Sequence, residues 1–136
     1  MIGKKSDPEL DEALLLALHL QEKLFPSPPA EFLRLDLAEQ IAQLRRNESR
    51  AAGNAKCRSY AVLLAETARL YEHKGAPDLA AGARQMGLYA ALSVAIDDPA
   101  DAEANLVARE TLTQLDVHSL QPPVIALLEQ LRDPAP

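Results

Sequence analysis

The single cysteine is the residue whose surroundings come closest to those of a chemical group. Cys57 stands between Lys56 and Arg58, and the helix predicted to contain it begins at about Ala55. A helix N-terminus and neighbouring cations both stabilise a thiolate, which lowers the pKa of reactive thiols. A cysteine nucleophile also needs a base, and His73 of the same predicted helix is about 24 Å further along its axis. Cys57 is therefore a candidate reactive thiol, and a structural thiol is the favoured alternative.

The three histidines do not have the spacing of a metal site. His19, His73 and His118 each lack a second histidine, cysteine or carboxylate at the intervals used by zinc and di-iron proteins. The sequence also contains no phosphate-binding glycine loop and no nucleophile elbow. We therefore predict no metal and no cofactor, and an enzyme using Cys57 is the less favoured interpretation.

A cluster of cations is the most informative polar feature. Five basic residues stand close together against a single acid, Glu48, in a chain whose net charge is −6. Such a local excess favours docking of an acidic partner or of a phosphate-bearing ligand. The alternative is that these side chains decorate a helix end and a solvated turn. The residues of this predicted basic patch are Arg45, Arg46, Arg50, Lys56 and Arg58.

Four larger side chains could line a pocket between helices. Tyr60, Tyr71, Met86 and Tyr89 have helical spacing, and residues in such a pattern more often belong to the core, with each hydroxyl group reaching the surface. If they line a pocket instead, between the helices predicted at 55–74, 77–95 and 99–115, the function is binding of a small apolar ligand.

Composition excludes several classes of function. A net charge of −6, only two Phe and three Tyr, and no Trp argue against a nucleic-acid binder. No apolar run reaches the ~18 residues of a membrane span. A single cysteine fits a reducing compartment. We predict a cytoplasmic protein that binds neither nucleic acid nor membrane.

The elements that position these residues are predicted to be helices alone. Apolar residues recur at intervals of three and four, and β-branched residues are few. We expect one all-α domain spanning residues 1–136, with flexible ends at about 1–5 and 133–136 and about six antiparallel helices in a bundle or a superhelix. The predicted helices are 6 or 7 to 24, 30–50, 55–74, 77–95, 99–115 and 122–132, with a turn possible at 29–35, a kink or second N-cap possible at Leu35–Asp36, a break at 51–54 and an N-cap at Asp98. Ser6-Asp7-Pro8-Glu9 is predicted to be a capping box at the start of the first helix.

The hairpin formed by residues 58–99 is the predicted centre. Lys74 and Gly75 close its first helix, because glycine adopts the left-handed conformation that follows a helix end. Pro77 suits the first turn of the next helix. That helix has a small inner face, which permits close packing on more than one side. Its inward residues are predicted to be Ala80, Ala83, Gly87, Ala90 and Ala91, with Leu79, Met86 and Val94 for bulk.

This hairpin resembles one tetratricopeptide repeat. The residues that carry the resemblance are Leu64, Ala68, Tyr71, Gly75, Ala80, Gly87 and Leu88. Thr67 and Arg84 depart from the pattern, and the closing pair Asp98–Pro99 comes about two turns late. The resemblance covers less than a third of the chain and implies antiparallel hairpins stacked into a right-handed superhelix, with peptides bound on its concave face.

The first helix is apolar on more of its circumference than one core can bury. Leu15, Leu16 and Leu20 lie outside its main apolar stripe, and a helix of this kind is either sandwiched between neighbours or in contact with another molecule. We therefore predict a non-catalytic protein–protein interaction or assembly module. Its partner is another protein or a second copy, bound through the first or the last helix.

Overall fold

Seven α-helices form the described part of the chain. The structure is a computed structural model that describes residues 7–132, and this range contains no β-strand. The predicted all-α class is confirmed. The predicted flexible ends, 1–5 and 133–136, lie outside the described residues. The helices are α1 (Pro8–Glu22), α2 (Pro29–Phe32), α3 (Leu37–Arg45), α4 (Arg50–His73), α5 (Pro77–Asp97), α6 (Ala102–Thr113) and α7 (Pro122–Arg132), and a 3₁₀ turn covers Val117–Ser119.

Side-chain caps set where several helices begin. The Asp7 carboxylate accepts hydrogen bonds from the Glu9 and Leu10 N–H groups of α1, and Asp36, the predicted second N-cap, accepts one from the Glu39 N–H of α3. Ser6 of the predicted capping box lies outside the described residues. The prediction of Asp98 as the cap of the helix expected at 99–115, which is α6, is wrong. Asp98 accepts from the Ala100 N–H in a turn, and Asp101 caps α6 through the Ala104 N–H at 2.9 Å. Both aspartates suit a cap, and only the folded chain shows which of them precedes helical backbone.

The chain breaks earlier than the sequence suggests. The predicted break at 51–54 is wrong, because α4 already begins at Arg50 behind a Ser49 cap. The turn lies at residues 46–49, where Asn47 has a φ of 63°. Gly53 is helical, and a Cβ atom there would lie 3.3 Å from Cγ of Arg45. This glycine therefore permits the close approach of α3 rather than forming a turn.

The α4–α5 hairpin is present and has the predicted turn. Gly75 follows α4 with a φ of 80°, as the sequence indicates. The small face of α5 is buried, and a Cβ atom on Gly87 would lie 3.1 Å from Cβ of Leu64. Leu79 is a wrong prediction, since 57% of it is exposed. Helices α3, α4, α6 and α7 all contact α5, so the prediction that this helix is central is confirmed.

Burial also accounts for the apolar composition of α5. By length and composition alone, α5 is apolar enough to cross a membrane. Most of the qualifying stretch is buried inside the structure, where four other helices pack against it. A core helix enclosed on several sides is expected to be apolar around most of its circumference.

Helix α1 lies at the periphery and packs mainly on α4. Its apolar contacts form a small cluster of their own around Leu14, Ala17 and Leu70, separate from the main core. A buried hydrogen bond of 2.6 Å joins the Gln21 amide to the Thr67 hydroxyl across this seam. The opposite face of α1 has no comparable neighbour within residues 7–132.

Candidate functional site

Two of the predicted basic residues tie the start of α4 to the segment between α5 and α6. Arg50 donates from Nε to Oδ2 of Asp97 at 2.8 Å and from Nη2 to the Asp97 carbonyl oxygen at 2.5 Å. Arg58 contacts Oδ2 of Asp101 at 2.5 Å and Oε1 of Glu103 at 3.2 Å. These acids are more than forty positions away in sequence, which is why the local charge count does not include them.

The other three cations also have polar partners. Arg46 lies 3.6 Å from Glu39, and Lys56 lies 3.2 Å from Glu48. Arg45 donates to the Ser93 carbonyl oxygen at 3.4 Å. The predicted basic patch is therefore one region of the surface, but its charges are largely balanced by carboxylates. An anionic ligand would have to compete with these partners, so docking at the patch stays a prediction with reduced support.

Asp97 is the centre of the best-connected polar cluster. Hydrogen bonds from Arg50 and then from Asn54, whose Nδ2 lies 2.7 Å from Oδ2, hold the pKa of Asp97 below its ordinary value of 3.8. Asn54 is buried, and its Oδ1 is the buried side-chain atom without a hydrogen-bond partner in residues 7–132. This cluster is not apparent from the sequence, because Asn54 lies in the predicted break at 51–54 and its partner Asp97 is 43 positions away.

Cys57 lies in an environment that disfavours a thiolate. The residue is fully buried, and α4 begins at Arg50, so Cys57 lies about two turns into the helix and not at its N-terminus. Burial raises its pKa more than the positive charges of Arg45 and Lys56 lower it. No histidine forms a hydrogen bond with Cys57 within the described range, and His19, His73 and His118 are all exposed. Cys57 therefore has the surroundings of a structural thiol.

The four residues predicted to line a pocket pack against the main core. Tyr60 is buried against the rings of Phe25 and Phe32. Its hydroxyl donates to Oε1 of Gln40 at 3.1 Å and lies 4.0 Å from Sδ of Met86, and burial raises its pKa. Tyr71, Met86 and Tyr89 are half-buried against the same core. None of the four lines either of the two depressions described next.

The larger depression is an open groove between α4, α5 and α6, the position predicted for a pocket. Its volume is about 670 Å³. Deep in it, Nη1 of Arg84 lies 3.0 Å from Oε2 of Glu72, and Arg84 is buried whereas Glu72 is exposed. Most of the lining residues are charged or polar, so an apolar ligand bound there would lie beside several charged groups. Its charged residues are Glu66, Arg69, Glu72, Arg84 and Glu110.

A second depression lies beside the Asp97 cluster and is shallower. Its volume is about 590 Å³. Two members of the predicted basic patch, Arg45 and Arg50, contribute to its wall, and both are already engaged with α5. The remaining lining residues are Ile41, Ser93, Ile96, Asp97, Leu127 and Gln130.

The outer flank of α1 is an apolar surface without a packing neighbour within residues 7–132. Leu16 and Leu20 are one turn apart and 59% and 38% exposed, and Ala13 beside them is exposed as well. Because successive residues turn by about 100°, these three share one side of the helix. Leu15 is 66% exposed and lies outside this group, about 100° around the helix from Leu16. The prediction that α1 has more apolar surface than it buries is confirmed.

Other exposed apolar side chains do not form a comparable surface. On α7, Ile125 is 40% and Leu131 is 37% exposed, but Val124 of that helix is buried against the core. The rest belong to separate elements, and single exposed apolar residues are normal. They are Leu33, Val62, Leu79, Leu106 and Val117. The flank formed by Ala13, Leu16 and Leu20, called the α1 outer flank below, is therefore the candidate functional site.

No cluster of metal-binding side chains occurs within residues 7–132. Comparison of the chain with protein-family models, curated proteins and solved structures finds no match. The resemblance to a tetratricopeptide repeat stays a prediction, and the functional inference rests on the geometry of this chain alone.

Proposed function

We propose that this protein is a non-catalytic interaction module that docks onto another polypeptide through the α1 outer flank. The observation that carries the proposal is the exposure of Leu16 and Leu20 on a helix with a single main packing neighbour. Contiguous exposed apolar surface of this kind marks interaction sites on proteins. An amphipathic helix is also a common docking element, because its apolar residues recur on one side.

The alternatives have weaker support. An enzyme using Cys57 needs an accessible thiolate, and this thiol is buried with a raised pKa. A carrier of small apolar ligands needs an enclosed apolar pocket, and the groove between α4, α5 and α6 is open and contains five charged residues. Docking through the α1 outer flank requires no rearrangement of the fold, because Leu16 and Leu20 are already exposed to solvent.

Site-specific photo-crosslinking tests the proposal. A benzophenone amino acid replaces Leu20 in the full chain, cells producing the protein are irradiated, and adducts are identified by mass spectrometry. We expect one defined polypeptide adduct, because position 20 lies within the proposed contact. The adduct should be lost when Leu16→Glu is added, since this change puts a charge on the α1 outer flank.

Leu15→Glu is the matched control. It places the same charge about 100° around α1 from Leu16 and outside the flank, at a residue even more exposed than Leu16, and should leave the adduct unchanged. Absence of a polypeptide adduct at position 20, or equal loss with both substitutions, would contradict the proposed function.

A further inference from the structure

The charges around the α1 outer flank identify its partner. Resting on the proposed function, we infer that the flank binds a second copy of this chain, with the two α1 helices antiparallel and Leu16 at the two-fold axis. A self-complementary surface of this kind gives a closed dimer, in which the same residues serve both subunits.

The distribution of charge along α1 selects the antiparallel arrangement. Glu9 and Glu12 are exposed near the start of the helix, and Lys23 is exposed at its end. Glu9 and Lys23 form no ion pair within residues 7–132, whereas Asp11 on another side pairs with Lys74 of α4. Parallel copies would place like charges side by side. Antiparallel copies place the acidic end of each helix beside the basic end of the other.

The spacing of these residues fits a two-fold axis at Leu16. Glu9 precedes Leu16 by seven residues and Lys23 follows it by seven, and seven residues are close to two helical turns. All three therefore lie on nearly the same side of α1. With Leu16 opposite its own copy, Glu9 of each chain faces Lys23 of the other, and the dimer gains the same ion pair twice.

The apolar residues interlock in the same arrangement. Leu20 of one copy comes to lie beside Ala13 and Leu16 of the other, and the small side chain of Ala13 gives space to the incoming leucine. Helix α1 has 15 residues, so it is only about 22 Å long. One helix from each subunit buries an area at or below the ~1,200 Å² lower limit of stable interfaces. The dissociation constant is therefore expected in the micromolar range, up to several hundred micromolar.

Sedimentation equilibrium on the full chain, from 10 µM to about 1 mM, tests the inference. We expect a reversible monomer–dimer equilibrium. Leu16→Glu should weaken it at least tenfold, because the charge is duplicated at the two-fold axis. Leu15→Glu should change the dissociation constant by less than about twofold, because position 15 lies about 100° around the helix from Leu16, outside the proposed contact. Circular dichroism of both variants verifies that α1 remains folded.

A charge exchange tests the orientation of the helices. Glu9→Lys and Lys23→Glu should each weaken self-association by about three- to tenfold, because each creates two like-charge contacts. Mixing the two variants should restore association as a heterodimer, since lysine at position 9 of one chain then faces glutamate at position 23 of the other. The restoration should diminish at 0.5 M salt, where exposed charges are screened.

Three results would overturn the inference: a chain that stays monomeric at 1 mM, equal effects of Leu16→Glu and Leu15→Glu, and a mixture of the exchanged variants that associates no better than either alone. The crosslinking experiment separates this failure from failure of the proposed function. A monomeric chain that gives a Leu16-dependent adduct with a different polypeptide disproves the dimer and retains the interaction module.

Discussion

At the residue scale, Asp97 connects the beginning of α4 to the end of α5. Its carboxylate accepts from Arg50 and from Asn54, and its backbone carbonyl accepts from Arg50 as well. Charge-assisted hydrogen bonds of this kind favour the ionised carboxylate. The cluster therefore makes stability depend on pH through one identifiable group.

Asp97→Asn should lower the free energy of unfolding at pH 7, and this free energy should then decrease less as the pH is lowered. The folded-state pKa of Asp97 lies below 3.8, so its stabilising contribution is present above the unfolded-state pKa and is lost as pH falls through the folded-state value. Urea unfolding of wild type and variant should therefore differ most at pH 5–7 and converge towards pH 2. A difference that stays constant with pH would contradict this role.

Residues in this region also show where sequence interpretation reached its limit. Cys57, Arg50 and Arg58 were identified as chemically notable, but their partners come from the α5–α6 region, and tertiary contacts are not visible in local composition. Gly53 and Asn54 were assigned to a turn because both residue types favour turns. In the fold, Gly53 instead admits Arg45 and Asn54 donates to Asp97. Glycine and asparagine can therefore form a turn or take part in helix contacts, and local sequence does not distinguish the two.

At the element scale, the small face of α5 determines how closely α4 can approach. Gly87 lies where an added Cβ atom would be 3.1 Å from Cβ of Leu64 and 3.5 Å from the carbonyl oxygen of Ala61. Gly82 lies on the exposed side of the same helix, where an added Cβ atom would meet nothing within 4 Å. The two glycines therefore form a matched pair for measuring packing against helix propensity.

Gly87→Ala should destabilise the protein by about 1 kcal/mol, because overpacking costs ~1–3 kcal/mol and the gain in helix propensity returns up to ~1 kcal/mol. Gly82→Ala should stabilise it by about 0.5–1 kcal/mol, since only the propensity changes. Chemical unfolding followed by circular dichroism measures both. If Gly87→Ala also stabilises the protein, the contact between α4 and α5 is looser than the structure indicates.

Predictions for whole elements were better than predictions for their boundaries. The α4–α5 turn was predicted, because glycine and proline at fixed positions have local conformational causes. The predicted range 122–132 for the last helix agrees with α7. The long helix predicted at 30–50 is divided into α2 and α3, since the Asp36 cap interrupts an apolar pattern that would otherwise run on. The start of α4 was missed because Ser49 had not been considered as a cap.

At the scale of the whole molecule, stability is distributed unevenly. Helix α5 packs against four other helices, whereas α1 packs mainly against α4 through a small apolar cluster of its own. Local opening requires less free energy where fewer buried contacts are lost. Helix α1 is therefore expected to be among the least stable helices and α5 the most stable.

Hydrogen exchange followed by mass spectrometry should show this order. In dilute solution, amides of α1 should exchange at least about tenfold faster than amides of α5, because opening of α1 does not disrupt the main core. At millimolar concentration, exchange of α1 should slow if the dimer forms, and exchange of α5 should change little. Equal protection of α1 and α5 in dilute solution would show that α1 unfolds only with the entire domain.

The hydrogen bond between Gln21 and Thr67 determines which leucines of α1 are exposed to solvent. Leucines surround most of α1, so apolar packing against α4 would be similar for several rotations of α1 about its own axis. The Thr67 hydroxyl gives its own proton to the Leu63 carbonyl at 2.7 Å and keeps its lone pairs for the Gln21 amide. A rotation that moves Gln21 out of this seam would break the hydrogen bond and leave the buried Thr67 oxygen without a donor, at a cost of roughly 1–3 kcal/mol. One glutamine thus fixes the rotational setting of α1, in which Leu14 is buried and Leu16 and Leu20 remain exposed to solvent.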